Sequence, residues 1–189
     1  MLKNVVNLKT IDGQFEGKIK LENWQKRFLM DLPIDLNIGG EAEIDKIEPH
    51  HIAAYEYLCE HDAEILQNIL EEIFRNYETW QEEYGYNDAS YEEKTYSMPD
   101  IENIDRLLSL ITPKRIIILD IEKDGMAYYG VQFICTWDQD HNLGVMLHKN
   151  RIVDIGGDDT AFLSWIAEED LDNAETAEAE KNALQYMYI

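Results

Sequence analysis

One amphipathic stretch in the middle of the chain restricts the possible folds more than any other feature of the sequence. Between residues 62 and 85, apolar side chains recur at spacings of three and four, which predicts a helix of about six turns with one apolar face. That face comprises Ile65, Leu66, Ile69, Leu70, Ile73, Phe74, Tyr77, Trp80 and Tyr84. Asp62 is expected to cap the helix, and Gly85 to end it in a left-handed conformation. Because 45% of the residues are hydrophobic, the chain can bury this face, which excludes a disordered acidic tail as the whole molecule.

The segment before this helix has the alternating pattern of β-strands. Apolar and polar residues alternate in residues 15–24 and 27–36, where Pro33 indicates a sheet edge. A shorter helix is predicted to begin near Pro49, because proline is favoured in the first helical turn. The histidines that flank this helix are expected to be solvated or capping side chains; they are His50, His51 and His61.

The segment after the long helix returns to β-structure. Residues 86–99 are polar and rich in tyrosine, which predicts a loop, and a short helix is expected from Asp100 until Pro113 ends it. From there an antiparallel meander is predicted, with Asp124-Gly125 as a strong hairpin signal and Lys149-Asn150 as a further turn. After the meander, a helix that runs through Ile166 is expected, with Asp158 or Asp159 as its cap. The residues after this helix are acidic and are expected to form a solvated helical end.

These patterns predict an α+β fold in one domain that spans residues 1–189. The order is N-terminal β-strands, a central long amphipathic helix with shorter helices, and a C-terminal antiparallel β-meander followed by a helix. The expected segments are a strand-rich part at residues 1–45, a helical part at 48–112, the meander and helix at 113–166, and an acidic tail at 167–189.

The charge balance excludes several classes of partner. The chain has 16 basic and 39 acidic residues, a net charge of −23, so we expect no nucleic-acid binding through phosphate contacts and no docking on an anionic membrane. No apolar run is long enough to span a bilayer, and the first residues lack the pattern of a secretory signal. The two cysteines, Cys59 and Cys135, are too few for a disulfide scaffold. We therefore expect a soluble cytoplasmic protein.

The densest polar cluster is the stretch CTWDQDHNLG at residues 135–144. Asp138, Asp140 and His141 offer carboxylate and imidazole donors within four residues, which is one way to hold a divalent cation. The match to a calcium loop fails, because the glycine falls one place late and Lys149 stands where the closing glutamate belongs. The alternative is a structural turn, since Asp, Asn and Gly are turn residues.

Two further motifs resemble catalytic sites only superficially. Cys135 lies in a predicted strand among acidic residues, which raise a thiol pKa and so disfavour a nucleophile. Gly156-Gly157 precedes a predicted helix in the manner of a phosphate loop. However, the following Asp158 and Asp159 would repel a phosphate, and the P-loop lysine is missing.

The stretch from Phe133 to Phe162 resembles a bacterial family of uncharacterised domains, domain of unknown function 6985. Members of that family look like Cys-Thr-Trp-Asp-x-Glu-His-Gly-Leu-Gly-Val, followed by a basic residue and Gly-Gly-Ala-Asp-Thr-Ala-Phe. They also carry a long acidic helix that ends near Glu-Glu-Tyr-Gly, as Glu82-Glu83-Tyr84-Gly85 does here.

The resemblance covers roughly residues 50–162, with the strand-rich segment in front of it. The shared residues are Trp137, Asp138, His141, Gly144, Gly156, Gly157 and Asp159. Asp140, Asn142 and Asp158 replace the family's Glu, Gly and Ala, and the turn is expected to survive because Asn tolerates the left-handed conformation. The resemblance supports the fold and implies no activity.

Two hypotheses about function follow. The first, which we favour, is a non-enzymatic protein-interaction domain without a cofactor that binds a basic partner, as small acidic immunity-like proteins do, with Trp137, Asp138, His141 and Asp159 as binding residues. The second is a metal-dependent hydrolase or metal-binding protein that uses Asp138, Asp140 and His141, joined by His148, Asp154 or Asp159. Convergence of these side chains on a cleft would favour the second hypothesis.

Overall fold

A single sheet organises the part of the chain that the computed structural model describes, which is Leu2, residues 5–86 and residues 97–187. Its seven strands lie side by side in chain order: β1 (Val5–Ile11), β2 (Gln14–Ile19), β3 (Ile34–Gly39), β4 (Ile111–Lys123), β5 (Met126–Cys135), β6 (Leu143–His148) and β7 (Arg151–Gly156). Neighbouring strands are antiparallel except for β3 and β4, which are parallel. The predicted antiparallel meander is therefore confirmed as β4–β7. The predicted loop at 86–99 lies mostly outside the described residues.

Helices cover both faces of this sheet. They are α1 (Glu22–Phe28), α2 (Pro49–Glu60), α3 (Asp62–Glu83) and α4 (Ser164–Met187), with 3-10 helices at Ile104–Ser109 and Asp158–Ala161. The helices α1, α2 and α3 pack on one face, whereas α4 and the 3-10 helix before it pack on the other. The α+β fold class is thus confirmed. In the described ranges, no helix is both long enough and apolar enough to cross a membrane.

The long helix α3 buries the apolar face that its sequence predicts. Six of the predicted side chains are at most 3% exposed: Ile65, Leu66, Ile69, Leu70, Ile73 and Tyr77. Each removes enough apolar surface from water to contribute roughly 1.5–3 kcal/mol. Gly85 follows the helix in the left-handed region, with φ of 76°, as predicted. Asp62 does not cap the helix, since its carboxylate instead accepts hydrogen bonds from the backbone and side chain of Asn23.

The strand prediction for residues 15–24 and 27–36 is wrong in part, because α1 interrupts it. Leu21, Trp24 and Phe28 recur at helical rather than strand spacing, and Trp24 is fully buried. The indole N–H of Trp24 donates a hydrogen bond of 2.7 Å to the backbone oxygen of Asp62. Tertiary anchoring of this tryptophan therefore overrides the weak local alternation.

The prediction of a helix between Asp100 and Pro113 is also wrong in part. The structure has only a 3-10 helix at Ile104–Ser109, and Pro113 lies inside β4 rather than ending a helix. Proline is tolerated there because the pairing of β4 with β5 shifts register between Pro113 and Arg115. Likewise, the helix expected to be capped by Asp158 or Asp159 is a 3-10 helix that stops at Ala161, and α4 begins separately at Ser164.

An ionic contact centred on the partly buried Asp170 helps to hold α4 to the second face of the sheet. Asp170 accepts hydrogen bonds from the hydroxyl of Tyr128 at 2.7 Å and from the guanidinium of Arg151 at 2.6 Å, and the Lys123 amine lies 3.5 Å away. Burial raises the pKa of the Asp170 carboxyl, but the Arg151 and Tyr128 hydrogen bonds outweigh it and lower the pKa to about 2. The carboxylate therefore stabilises the docking of α4.

Asp170→Asn is expected to lower the free energy of unfolding by about 2 kcal/mol at pH 7, because it removes charge-assisted hydrogen bonds. The folded pKa lies below the ordinary value of 3.8, so this stabilisation is complete above pH 4 and is lost as the pH falls towards 2. Urea unfolding of both proteins across that range should show their difference shrinking. A difference that is constant or grows on acidification would contradict this role for Asp170.

Candidate functional site

The residues of the family motif come together at one place, where the loop between β5 and β6 lies beside the segment that follows β7. The backbone N–H of Asp158 donates a 2.7 Å hydrogen bond to the backbone oxygen of His141. The side-chain amide of Gln132 donates to the Asp158 carbonyl at 3.0 Å. Two stretches that are separated by β6 and β7 thus form one surface.

Two glycines allow the backbone after β7 to lie directly on the sheet. A Cβ atom on Gly130 would stand 2.5 Å from the carbonyl carbon of Ala161 and 2.6 Å from its Cα, and closer still to its oxygen. A Cβ on Gly144 would stand 2.9 Å from the Ala161 nitrogen and closer to the Gly157 oxygen. Any side chain at these positions would separate the 3-10 helix from the sheet.

The loop between β5 and β6 closes on itself through Asp138. Its carboxylate accepts the backbone N–H of His141 at 2.9 Å and lies 3.1 Å from the His141 ring nitrogen. Burial raises the pKa of the Asp138 carboxyl, but the His141 hydrogen bonds and one from Tyr84 outweigh it and lower the pKa. Asn142 adopts φ of 54°, the left-handed conformation expected at this turn. These contacts are those of a structural turn.

The six side chains considered for a metal in the sequence do not assemble together. Asp140 is exposed, and Asp154 accepts the backbone N–H of its own neighbour Ile155. His148 is buried at the far end of β6, where its Nε2 atom lies 3.0 Å from the Lys123 carbonyl. The Asp159 carboxylate and the Cβ atom of His141 both lie near Gly157. Within the described ranges, the group of three donors close enough to hold a metal lies elsewhere, at His50, His51 and Asp120.

Cys135 is unsuited to nucleophilic catalysis in this environment. Its side chain is 1% exposed, and burial raises the pKa of the thiol to about 11. The thiol is therefore protonated at neutral pH. Its contact with the Asp138 carbonyl, at 3.5 Å, belongs to the same closed loop.

A cleft lies between this loop and the end of α3. It has a volume of about 320 Å³ and is lined by Trp80, Glu83, Tyr84, Trp137, Asn142, Leu143, Ile155, Gly156 and Gly157. The rings of Trp80 and Trp137 are inclined at 31° with centroids 6.3 Å apart. Trp137 in turn makes an edge contact with Tyr77 at 5.7 Å, so its ring is fixed by the core.

The rim of this cleft is acidic. The last turn of α3, the loop at 136–142 and the segment at 156–159 contain no lysine or arginine, and carry Glu82, Glu83, Asp138, Asp140, Asp158 and Asp159. Of these, Asp158 is paired with the amine of Lys114 on β4 at 3.5 Å. The hydroxyl of Tyr84 donates to Asp138 at 3.2 Å and ties the helix end to the loop. Burial and the nearby Asp138 raise the pKa of Tyr84 to about 12, so this hydroxyl stays protonated.

Of the four binding residues that the sequence predicts, which are Trp137, Asp138, His141 and Asp159, Trp137 lines the cleft. The spacing of the long helix places Trp80 and Tyr84 on its core face, and both of them also line the cleft. The usable signal was the position of these two aromatic residues in the last turn, next to the acidic pair Glu82 and Glu83.

Comparison with known proteins identifies the family of the chain. No curated protein and no solved structure matches this sequence. A family model matches residues 15–163, and so includes strands that were expected to precede the resemblance. Since this match covers most of the chain, the protein belongs to the family described as Domain of unknown function (DUF6985).

Proposed function

We propose that this protein is a non-enzymatic binding domain for a basic protein partner, and that a lysine or arginine side chain of the partner enters the cleft that Trp80 and Trp137 line. The observation that carries this proposal is a cleft lined by two indole rings and the Glu83 carboxylate, with no lysine or arginine among its lining residues.

The chemistry of the cleft matches a cation with an apolar stem. An arginine or lysine headgroup over an indole ring gains roughly 0.5–2 kcal/mol from the cation–π interaction, and tryptophan is the best partner for it. Glu83 supplies opposite charge at the edge, while Leu143 and Ile155 offer contact to the aliphatic part of the side chain. Of the two cations, arginine fits better because its planar guanidinium stacks on aromatic rings.

The expected binding residues have distinct roles in this proposal. Trp137 forms a wall of the cleft, and Asp138 holds Tyr84 and the loop in position. His141 and Asp159 flank Gly157 at the rim. The surplus of negative charge, −23 over the chain, would speed encounter with a basic partner and make it dependent on salt.

Reversal of one rim charge tests this proposal. Titration calorimetry with an arginine hexapeptide at low salt should show binding to the wild type, and Glu83→Lys should weaken it about tenfold because a repulsive charge replaces an attractive one. Glu56→Lys, an exposed position on α2, changes the net charge equally and is expected to alter the affinity less than twofold.

Two results would overturn the proposal. The first is equal weakening by Glu83→Lys and Glu56→Lys, which would mean that only the overall charge attracts the peptide. The second is the absence of binding to the wild type at low salt.

A further inference from the structure

A second cluster of polar side chains lies far from the cleft in sequence, at the end of the parallel strand pair. The ladder of β3 and β4 ends where Gly39 pairs with Leu119, and Asp120 is the first residue of β4 beyond it. The chain leaves β3 and returns through α2, whose first turn holds His50 and His51. Ligand sites in sheets with parallel strands favour this position, outside the carboxyl ends of the strands.

Three donor atoms converge there. The carboxylate of Asp120 lies 3.1 Å from Nε2 of His50 and 3.2 Å from Nε2 of His51, and all three donors lie within 4.8 Å of one another. Donors in a tetrahedral zinc site stand about 3.3 Å apart, given Zn–N bonds of about 2.0–2.1 Å. Lone pairs on these atoms would repel one another at such distances, so their approach requires protons or a cation between them.

We propose that His50, His51 and Asp120 form a binding site for a divalent transition-metal ion of the zinc class. Two imidazoles and one carboxylate are the donor set that such ions prefer, whereas calcium and magnesium prefer oxygen ligands. Three protein donors leave a further coordination position for water.

The burial of His51 supports this site independently of the distances. His51 is fully buried, and its Nε2 atom has no hydrogen-bond partner although it faces Asp120. A buried polar atom without a partner is costly, and a bound metal would satisfy it.

Outer contacts orient both rings. Nδ1 of His50 lies 3.5 Å from the Glu122 carboxylate, the type of contact that holds the proton on the nitrogen opposite the metal. Nδ1 of His51 accepts the backbone N–H of Glu48, which places the proton of the metal-free ring on Nε2. Metal binding at Nε2 would move that proton to Nδ1, which then no longer accepts the Glu48 N–H.

This exchange has a consequence for affinity. Binding gives up the hydrogen bond between the Glu48 N–H and His51, and this loss offsets part of the free energy gained from coordination. The charges favour the ion, since Asp120 and Glu122 are both acidic and both rings can bind as neutral imidazole.

Cobalt(II) tests the site, because zinc has no visible spectrum whereas cobalt bound to nitrogen and oxygen donors absorbs in the visible. Protein that has been dialysed against a chelator and freed of it is titrated with Co²⁺ at pH 7.5. We expect visible bands that saturate at one equivalent and disappear on addition of Zn²⁺. His50→Ala and Asp120→Asn should each abolish them, and Glu122→Gln should weaken binding about 10-fold to 100-fold.

The matched control is His141→Ala, which removes the other histidine that contacts an aspartate. It should leave the cobalt spectrum unchanged. Because His51 is buried and its replacement can unfold the protein, only His50 and Asp120 are changed among the three donors, since both are partly exposed. Circular dichroism checks that the variants are folded. The proposal fails if wild-type protein shows no saturable bands, if both variants retain them, or if His141→Ala abolishes them.

Discussion

Gly130→Ala is expected to destabilise the protein by about 3 kcal/mol or more, which is a large part of the stability of an ordinary domain. The new methyl group would stand 2.5 Å from the carbonyl carbon of Ala161 and closer still to its oxygen, well inside van der Waals contact. Backbone cannot swing aside as a flexible side chain can, so the 3-10 helix at Asp158–Ala161 must lift off the sheet. Urea unfolding followed by far-ultraviolet circular dichroism would measure the loss.

Gly85→Ala is the matched control for this effect. Gly85 has φ of 76°, but a Cβ there would meet no atom within 4 Å. Its replacement should therefore cost only the strain of the left-handed conformation, about 1 kcal/mol. If Gly130→Ala is no more destabilising than Gly85→Ala, the segment after β7 does not lie on the sheet as described.

Trp137→Ala should lower the free energy of unfolding by about 3–5 kcal/mol, the usual cost of removing a buried tryptophan. Trp137 is 6% exposed and packs against both Tyr77 and Trp80. For a chain of this length the melting temperature should fall by about 10 °C or more, which calorimetry can measure.

Trp165→Ala provides the comparison, because that tryptophan is 54% exposed on α4. It should change stability by less than about 1 kcal/mol. Equal effects of the two changes would mean that Trp137 is not part of the core. The expected instability of Trp137→Ala also explains why the binding test above changes a rim charge and keeps the tryptophan.

Features encoded over a few neighbouring residues were predictable from the sequence. The period of α3 was visible because its apolar face is continuous over many turns. The hairpin at Asp124-Gly125 followed from turn chemistry, since both residues adopt positive φ. The same reasoning gave the left-handed Asn142, and the motif placed Trp137 and Asp138 in one loop.

Features that depend on contacts between distant segments were not predictable. The helical spacing of α1 covers only two turns, which is too short to be distinguished from a strand. The burial of Trp24 against the start of α3 determines that this segment is a helix. The approach of Trp80 to Trp137 depends on how α3 crosses the sheet. His50 and Asp120 are 70 residues apart and meet only because β3 and β4 are parallel neighbours. One sequence, without pairing information, contains no local signal for such contacts.

The four tryptophans of the chain allow a direct test of where a basic segment binds. Trp80 and Trp137 line the cleft, whereas Trp24 on α1 is buried against the start of α3 and Trp165 lies exposed on α4. The measurement is a nuclear magnetic resonance titration of the indole N–H signals with the arginine hexapeptide. Binding in the cleft predicts shifts at Trp80 and Trp137 with Trp24 and Trp165 unchanged. Saturable binding that leaves Trp80 and Trp137 unshifted, or shifts Trp165 alone, would contradict the proposed site.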